Sequence, residues 1–447
     1  MVNWQVIATE LTAKGLQVIQ DPHQCQKLSS DFHHFSPILQ AQLQGKQADL
    51  VVLARSEAEV IRLVEYCVAS QIPLTVRGAG TGNYGQAVPL QGGIVLDMSQ
   101  MQAIIDVQPG RAIAEPGVKL AKLDQQAQSI GWELRMAPST YQTATIGGFV
   151  GGGSAGMGSI TYGLLSEPGN VQGLRVVTME AEPRVLTLAG QATQAVLHAY
   201  GTNGIITQLT LPLAPALPWA EAIVSFDDLS TAIAFAEDLG ACGGIVKKQI
   251  AVHAAPIPNY FTALKSYVQP DCHWVMVMVS EGDWGTFMER VAVWQGEILV
   301  QQFSQSEGKK LNLLEFNWNH TTLLARASDP AITYLQVFYQ SREQVLTLQQ
   351  LFGDEVMIHL EIIRVNGKIS LGGLPLVRFT NGDRLQEIIK IHQTMGASIA
   401  NPHVYTIEGG SSQPLPPAQL ALKQRNDPWG LLNPGKMSSF TPAKIND

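Results

Sequence analysis

Val76-Arg-Gly-Ala-Gly-Thr-Gly-Asn-Tyr-Gly-Gln86 sets four glycines beside one arginine. Gly78, Gly80, Gly82 and Gly85 permit positive φ angles and close approach of the main chain to a ligand, which an anion cradle made of backbone N–H groups requires. Arg77 adds a permanent positive charge, and the apolar residues up to Val76 read as the strand that delivers the loop. The expected occupant is a pyrophosphate. Two familiar nucleotide loops are excluded. G-x-x-x-x-G-K-[ST] is absent. G-x-G-x-x-G is met from Gly80 to Gly85, but Gln86-Ala-Val-Pro89 follows, and its proline opposes the helix that a Rossmann unit needs there.

Two more glycine-bearing segments follow. Met136-Ala-Pro-Ser-Thr140 precedes Ala144-Thr-Ile-Gly-Gly-Phe-Val-Gly-Gly-Gly-Ser-Ala-Gly-Met-Gly158, and a third segment reads Gly201-Thr-Asn-Gly-Ile-Ile-Thr207. Gly147, Gly148, Gly151, Gly152, Gly153, Gly156 and Gly158 weaken any regular element, so close backbone approach to a long flat ligand must compensate.

In this order, R-G-A-G-T-G, P-S-T with T-I-G-G, Y-G-T-N-G-I-I-T and Asp427-Pro-Trp-Gly-Leu-Leu-Asn-Pro-Gly-Lys436 resemble the FAD-dependent oxidoreductases of the vanillyl-alcohol-oxidase type, which carry a PCMH-type FAD-binding domain. The likeness is greatest to the flavin subunits of glycolate oxidase and D-lactate dehydrogenase, and covers residues 45–214 and 415–437. It implies an α+β fold: a PCMH-type domain of two α/β subdomains, plus a cap domain with an antiparallel sheet and helices. It also implies a cofactor site. Arg77, Gly78, Ala79, Gly80, Thr81, Gly82 and Asn83 would hold the pyrophosphate. Pro138, Ser139, Thr140, Thr145, Gly147 and Gly148 would line the ribityl chain and flavin. Gly204 and Ile206 would close the adenine side, and Asn433 and Lys436 would return to the flavin edge. Relatives with covalent FAD commonly have a histidine where this chain has Thr81, so non-covalent FAD is expected.

The implied reaction is oxidation of a CH–OH group, as in a small 2-hydroxy acid such as glycolate or D-lactate, by hydride transfer to flavin N5. Electrons would pass to a quinone, an iron–sulfur partner or oxygen. A base must take the hydroxyl proton, and the candidates are His359, Glu361, His403 and Glu408. Strand alternation in V-M-I-H-L-E-I-I puts His359 and Glu361 on one face, predicted to be solvent, with Val356, Ile358 and Leu360 in the core. His403 ends Gly396-Ala-Ser-Ile-Ala-Asn-Pro-His403, which parallels a segment that in the relatives ends in a Glu-His pair near a metal; here Pro402 replaces the glutamate. The relatives' other metal-binding stretch should fall at Arg364 to Gly373, which has no histidine, so no metal is expected. Arg364, Lys368 and Arg378 are candidates to meet a substrate carboxylate. The alternatives are a flavin-binding subunit without catalysis and an NAD(P)H-dependent reductase.

A chain of 447 residues suggests two or three domains. Hydrophobic residues at 45%, charged residues at 15% and a net charge of −8 exclude a disordered chain. Basic residues form no stripe, the densest groups being Lys247-Lys248 and Lys309-Lys310, so no nucleic-acid partner is expected. Met1 to Gln20 lacks the pattern of a signal peptide, and no apolar run is long enough to span a bilayer. A cytoplasmic protein, at most peripheral to a membrane, is expected. The four cysteines are too scattered for an iron–sulfur or zinc site and read as reduced thiols.

Ser56 to Ser70 reads as a helix with Ser56 as cap and Glu59 completing a capping box. Leu211-Pro-Leu-Ala-Pro-Ala-Leu-Pro218 marks a boundary, since its prolines cannot sit inside a central strand. The expected domains are 1–214 for FAD, 215–410 for a cap that shields the flavin from water, and 411–447 returning to the first.

Overall fold

The computed structural model describes residues 2–305, 311–411 and 413–443, so Lys309-Lys310 lies outside the described residues. The chain divides into two compact units: Met1–Ser154, Leu165–Pro215 and His403–Asp447 form the first, Ala155–Leu164 and Ala216–Pro402 the second. The return to the first unit thus begins at His403 and not at 411. Ala155–Leu164 belongs to the second unit because Gly158 N–H donates to Lys248 O and the Thr161 hydroxyl to Lys247 O.

In the first unit, β1 (Gln17–Ile19), β2 (Leu50–Leu53), β3 (Leu74–Arg77) and β4 (Ile94–Asp97) form a sheet in the order β1-β2-β4-β3. β2, β4 and β3 run parallel, so their carboxyl ends share one edge, the side on which open sheets bind ligands. The helix Glu57–Ala69 connects β2 to β3 and buries Val60, Leu63, Val64, Cys67 and Val68 in the core. Ser56 Oγ caps it by accepting from Glu59 N–H at 3.3 Å. The expected capping box closes one residue early: the Glu59 carboxylate accepts from Arg55 N–H at 2.9 Å and from the Arg55 guanidinium.

The second sheet contains β5 (Ile104–Gln108), β6 (Arg111–Ala114), β7 (Trp132–Leu134), β8 (Gly173–Val177), β9 (Val185–Ala189) and β10 (Ile205–Pro215), in the order β5-β6-β10-β8-β9 with β7 also on β10. Its pairings are antiparallel, so only the first of the two subdomains has a parallel sheet. β10 runs through Pro212, against the expectation that this proline stretch lies outside strands. Leu213 N–H donates to Gly110 O, so the nitrogen of Pro212 faces the opposite side, where pairing with β8 has ended at Thr210 opposite Gly173. No ladder bond is lost.

The second unit holds β11 (Trp219–Phe226), β12 (Lys247–His253), β13 (His273–Ser280), β14 (Glu297–Gln302), β15 (Ile332–Tyr334), β16 (Gln336–Tyr339), β17 (Val356–Met357), β18 (His359–Val365), β19 (Lys368–Gly373), β20 (Leu376–Arg378) and β21 (Ser398–Ala400). An eight-stranded sheet runs β14-β11-β13-β12-β18-β19-β16-β21, and a three-stranded one β15-β20-β17. All their pairings are antiparallel. The strand expected over Val356 to Val365 is therefore two, which part at Ile358 and join different sheets. No helix among the described residues is long and apolar enough to cross a membrane.

The C-terminal return docks on the free edge of β3. Leu74 N–H donates to Leu431 O at 2.8 Å, and Asn433 N–H to Leu74 O at 2.7 Å. Asp427 sets this turn by accepting from Leu431 and Leu432 N–H at 2.9 and 2.8 Å while pairing with the buried Lys423 ammonium. Replacement Asp427→Ala leaves that ammonium buried without its partner and is expected to cost about 3–5 kcal/mol. A lower urea midpoint checks it, and Lys423→Met combined with Asp427→Leu should cost less than the single change.

Candidate functional site

The loop after β3 lies at the carboxyl edge of the parallel strands. Three carbonyls there are engaged: Arg77 O accepts from Met98 N–H, Ala79 O from the Arg77 guanidinium, and Gly82 O from Phe32 N–H at 2.7 Å. Its amides are not. Among the described residues, none of the N–H groups from Gly78 to Asn83 donates to the protein, although the loop is half-buried and Asn83 is buried. Buried amides are rarely left unpaired, so such a run fits an anionic ligand.

Close packing explains the glycines. A Cβ at Gly78 would strike the Thr145 hydroxyl, and one at Gly82 the Gln86 amide. Gly80 has φ +67°, and a Cβ there would strike the Arg77 guanidinium. That guanidinium does not stand free to meet a ligand, as its charge suggested. It turns into the protein, donating to Ser30 O and Ala79 O, and braces the loop. Burial lowers its pKa while Asp97 and Asp31 oppose the shift.

Other expected cofactor residues gather in the same unit. Thr145 caps the helix Ile146–Gly152 by accepting from Gly148 N–H at 3.3 Å. Gly147 packs on Pro116 and spends its N–H on Pro116 O. Pro138 to Thr140 form a turn, with Tyr141 N–H on Pro138 O and Ala144 N–H on Thr140 O. Gly204, at φ +155°, leaves room for Val176 beneath it, and Ile206 stands opposite Val176 in β10.

Asn433 joins these segments. It adopts φ 42°, a left-handed conformation that asparagine tolerates. Its Nδ2 donates to Gln86 O at 3.0 Å and to Tyr200 O at 2.6 Å. Lys436 is fully buried, donates to Gly85 O and lies 5.3 Å from the Tyr405 ring centroid. Burial pulls its pKa down to about 7, and Asp31 resists. Sequence reasoning passed over Asp31, in a stretch with no motif. Its carboxylate accepts from His33 N–H at 3.0 Å and Ala87 N–H at 3.4 Å, and its charge acts on Arg77 and Lys436.

The base candidates separate by unit. His403 is buried in the first, its Nδ1 at 2.7 Å from Ser36 Oγ. Ser36 Oγ also caps the helix Pro37–Gln42 by accepting from Leu39 N–H at 3.1 Å. Glu408 accepts from Ser438 and Ser439 N–H at 3.0 and 2.9 Å. Burial raises its pKa, but the amides outweigh this and leave it below the ordinary value, so Glu408 is held as a carboxylate that caps these two amides.

His359 and Glu361 lie in the second unit, and their face is not solvent: they are 0% and 2% exposed. The His253 and His359 rings stack with centroids 4.6 Å apart. Thr321 spends its proton on Phe316 O at 2.6 Å and meets both Nε2 atoms at 3.4 and 3.5 Å. Both Nε2 atoms therefore face the lone pairs of this hydroxyl. Glu361 Oε1 accepts from Trp318 N–H at 2.6 Å and lies 3.2 Å from His359 Nε2. Burial lowers the His359 pKa to about 3 and raises that of Glu361 well above the ordinary value, the Trp318 amide opposing. Burial thus favours the uncharged form of each of these groups. Arg364 donates to Ile160 O and Gly367 O, and Arg378 to Asp329 and Tyr260, so neither guanidinium is uncommitted. Among the described residues, no group of three or more His, Cys, Asp or Glu side chains is arranged to hold a metal ion.

Two outcomes follow from the first unit. Gly80→Ala must put a Cβ into the left-handed region and into the guanidinium, and a cost of ~1–2 kcal/mol is expected to weaken FAD retention about tenfold; yellow flavin released on acid precipitation reports it. For Lys436, the folded chain binds the proton less tightly than the unfolded chain. Above about pH 7 the unfolded state thus holds more protons, and stability rises with pH. The slope, at most about 1.4 kcal/mol per pH unit, should vanish in Lys436→Met when urea midpoints are followed across that range.

Comparison with known proteins agrees with this geometry. A family model described as an FAD binding domain matches residues 48–187. The glycolate oxidase subunit GlcD of Escherichia coli (strain K12) is 30% identical over 194 residues, 41% of this chain and 38% of that protein. The chain thus matches well under half the length of that relative. GlcD of Bacillus subtilis (strain 168) is 23% identical over 431 residues, 87% of this chain and 88% of its own. A D-lactate dehydrogenase of Archaeoglobus fulgidus is 30% identical over 178 residues, 38% of this chain and 39% of that protein. A solved alkyldihydroxyacetonephosphate synthase superposes with a TM-score of 0.71 at 16% identity, covering 94% of this chain and 82% of that one, which supports the fold. The uncommitted amides, the glycine-lined approach and these likenesses converge: residues 48–187 are an FAD-binding domain of the PCMH type, and the protein binds FAD.

Proposed function

We propose that the protein oxidises a CH–OH group to a carbonyl, with non-covalent FAD as the electron acceptor and His403 taking the hydroxyl proton. The observation that carries this reading is the run of uncommitted amides from Gly78 to Asn83, set beside relatives named glycolate oxidase subunit and D-lactate dehydrogenase. Bound FAD supplies a two-electron acceptor for the hydride that leaves the carbon. The chain holds the pyrophosphate on its amides, orients the donor and moves the proton.

His403 is the base best suited to that task. Its Nδ1 lies 2.7 Å from Ser36 Oγ, a hydroxyl that can accept from the protonated ring or donate to the neutral one, so this contact persists in either protonation state. The other candidates fit less well. Two amides favour the ionised form of Glu408, burial favours the protonated form of Glu361, and burial lowers the His359 pKa to about 3, where a base has little driving force. Electrons then leave for a quinone or an iron–sulfur partner. Pro402, standing where the resembling flavin subunits have a glutamate, favours the second reading, a flavin-binding subunit of a larger dehydrogenase without catalysis of its own.

Anaerobic mixing of the flavin-loaded protein with glycolate, D-lactate and simple alcohols should bleach the flavin. In His403→Asn the bleaching rate is expected to fall about 10²–10⁴-fold with FAD content unchanged. No bleaching by any hydroxy acid, alcohol or sugar would select the non-catalytic subunit, and bleaching by NADPH alone would identify a reductase.

A further inference from the structure

The eight-stranded sheet of the second unit presents polar groups that the proton transfer to His403 does not use. Cross-strand partners in an antiparallel sheet share a face. Ala251 stands opposite Glu361 and Glu361 opposite Gly372, so the cross-strand partners of Glu361 are two of the smallest residues, and Ile363 packs beside Gly372. His253 and His359 pair directly in the adjacent row. Gln249, two residues before Ala251 on β12, points to the same face.

Gln249 is 4% exposed, and neither its Oε1 nor its Nε2 has a partner; Nδ1 of His253 and of His359 is likewise unpaired. Leaving a buried amide unbonded costs ~1–3 kcal/mol, and several such atoms on one face call for an explanation beyond folding. Among the described residues, the cations on and beside these strands are engaged elsewhere. Lys247 donates to Leu239 O and Cys242 O, Lys248 lies 5.2 Å from the Trp219 ring centroid, and Arg364 alternates onto the opposite face and bonds Ile160 O. The remaining groups are a carboxyl and two imidazoles, whose uncharged forms burial favours, and a carboxamide.

We propose that Gln249, Glu361 and the His253–His359 pair form a recognition subsite for an uncharged hydroxyl- or carbonyl-bearing compound, and that a free carboxylate is disfavoured there. An amide, ester or alcohol can both donate to and accept from this set. A carboxylate entering it becomes a buried charge with no counter-ion. The assignment of that compound as the CH–OH donor rests on the function proposed above; its binding does not.

Calorimetric titration of the FAD-loaded protein at neutral pH with lactamide and with lactate tests the subsite. Lactamide is expected to bind at least about tenfold more tightly. Gln249→Leu replaces an unbonded amide by an apolar side chain of similar size, so it should raise the melting temperature while weakening lactamide binding about tenfold. Lactate binding as tightly as lactamide, failure of lactamide to bind, or unchanged lactamide binding in Gln249→Leu overturns the subsite. Lactamide binding without flavin bleaching supports the subsite and counts against the oxidation; bleaching by lactate without lactamide binding does the reverse.

Discussion

The first unit depends on one side chain amide. Asn433 lies far along the chain from the glycine loop, yet its Nδ2 is shared between the carbonyls of Gln86 and Tyr200 while its own N–H bonds Leu74 O. Those three carbonyls belong to the first glycine loop, to the residue before the Gly201 segment, and to the strand that feeds the loop. A cradle whose amides must stay unpaired cannot hold its shape through those amides. Its carbonyls and its flanks have to be fixed from outside, and Asn433, Phe32 N–H and Met98 N–H do this.

Charge is handled in the same way. Arg77, Asp31 and Lys436 are all buried beside the loop, and none makes a direct ion pair with another among the described contacts. Each is spent on main-chain groups: Arg77 and Lys436 on carbonyls, Asp31 on amides. Their mutual attraction therefore acts at a distance, which explains why Asp31 only partly offsets the burial of the two cations.

Much of this was legible in the sequence. Periodicity and capping located the helix Glu57–Ala69 and the strands around it, because local chemistry decides them. The glycine segments announced a backbone site, since few other uses require so many residues without a Cβ. What the sequence concealed came from pairing at long range. Pro212 sits in a strand because β8 ends before it, a fact of register and not of composition. His359 and Glu361 follow an alternation that commonly means one wet face, but in an eight-stranded sheet covered on both sides alternation separates two buried faces. Asp31 carries no motif, and only folding brings it to Arg77.

The same ambiguity bears on chemistry. A histidine and a glutamate two residues apart read as a proton-handling pair when taken from sequence, and burial reverses that inference. Taking charge out of water favours the neutral form of both, so the imidazole loses its basicity and the carboxyl keeps its proton. The pair becomes a fixed pattern of donors and acceptors, suited to recognising a group and poorly suited to removing a proton from it. His403, whose Nδ1 is already engaged by a hydroxyl that can follow either protonation state, has the opposite character. An environment dry enough to fix such a pattern of donors and acceptors works against proton transfer by the same groups.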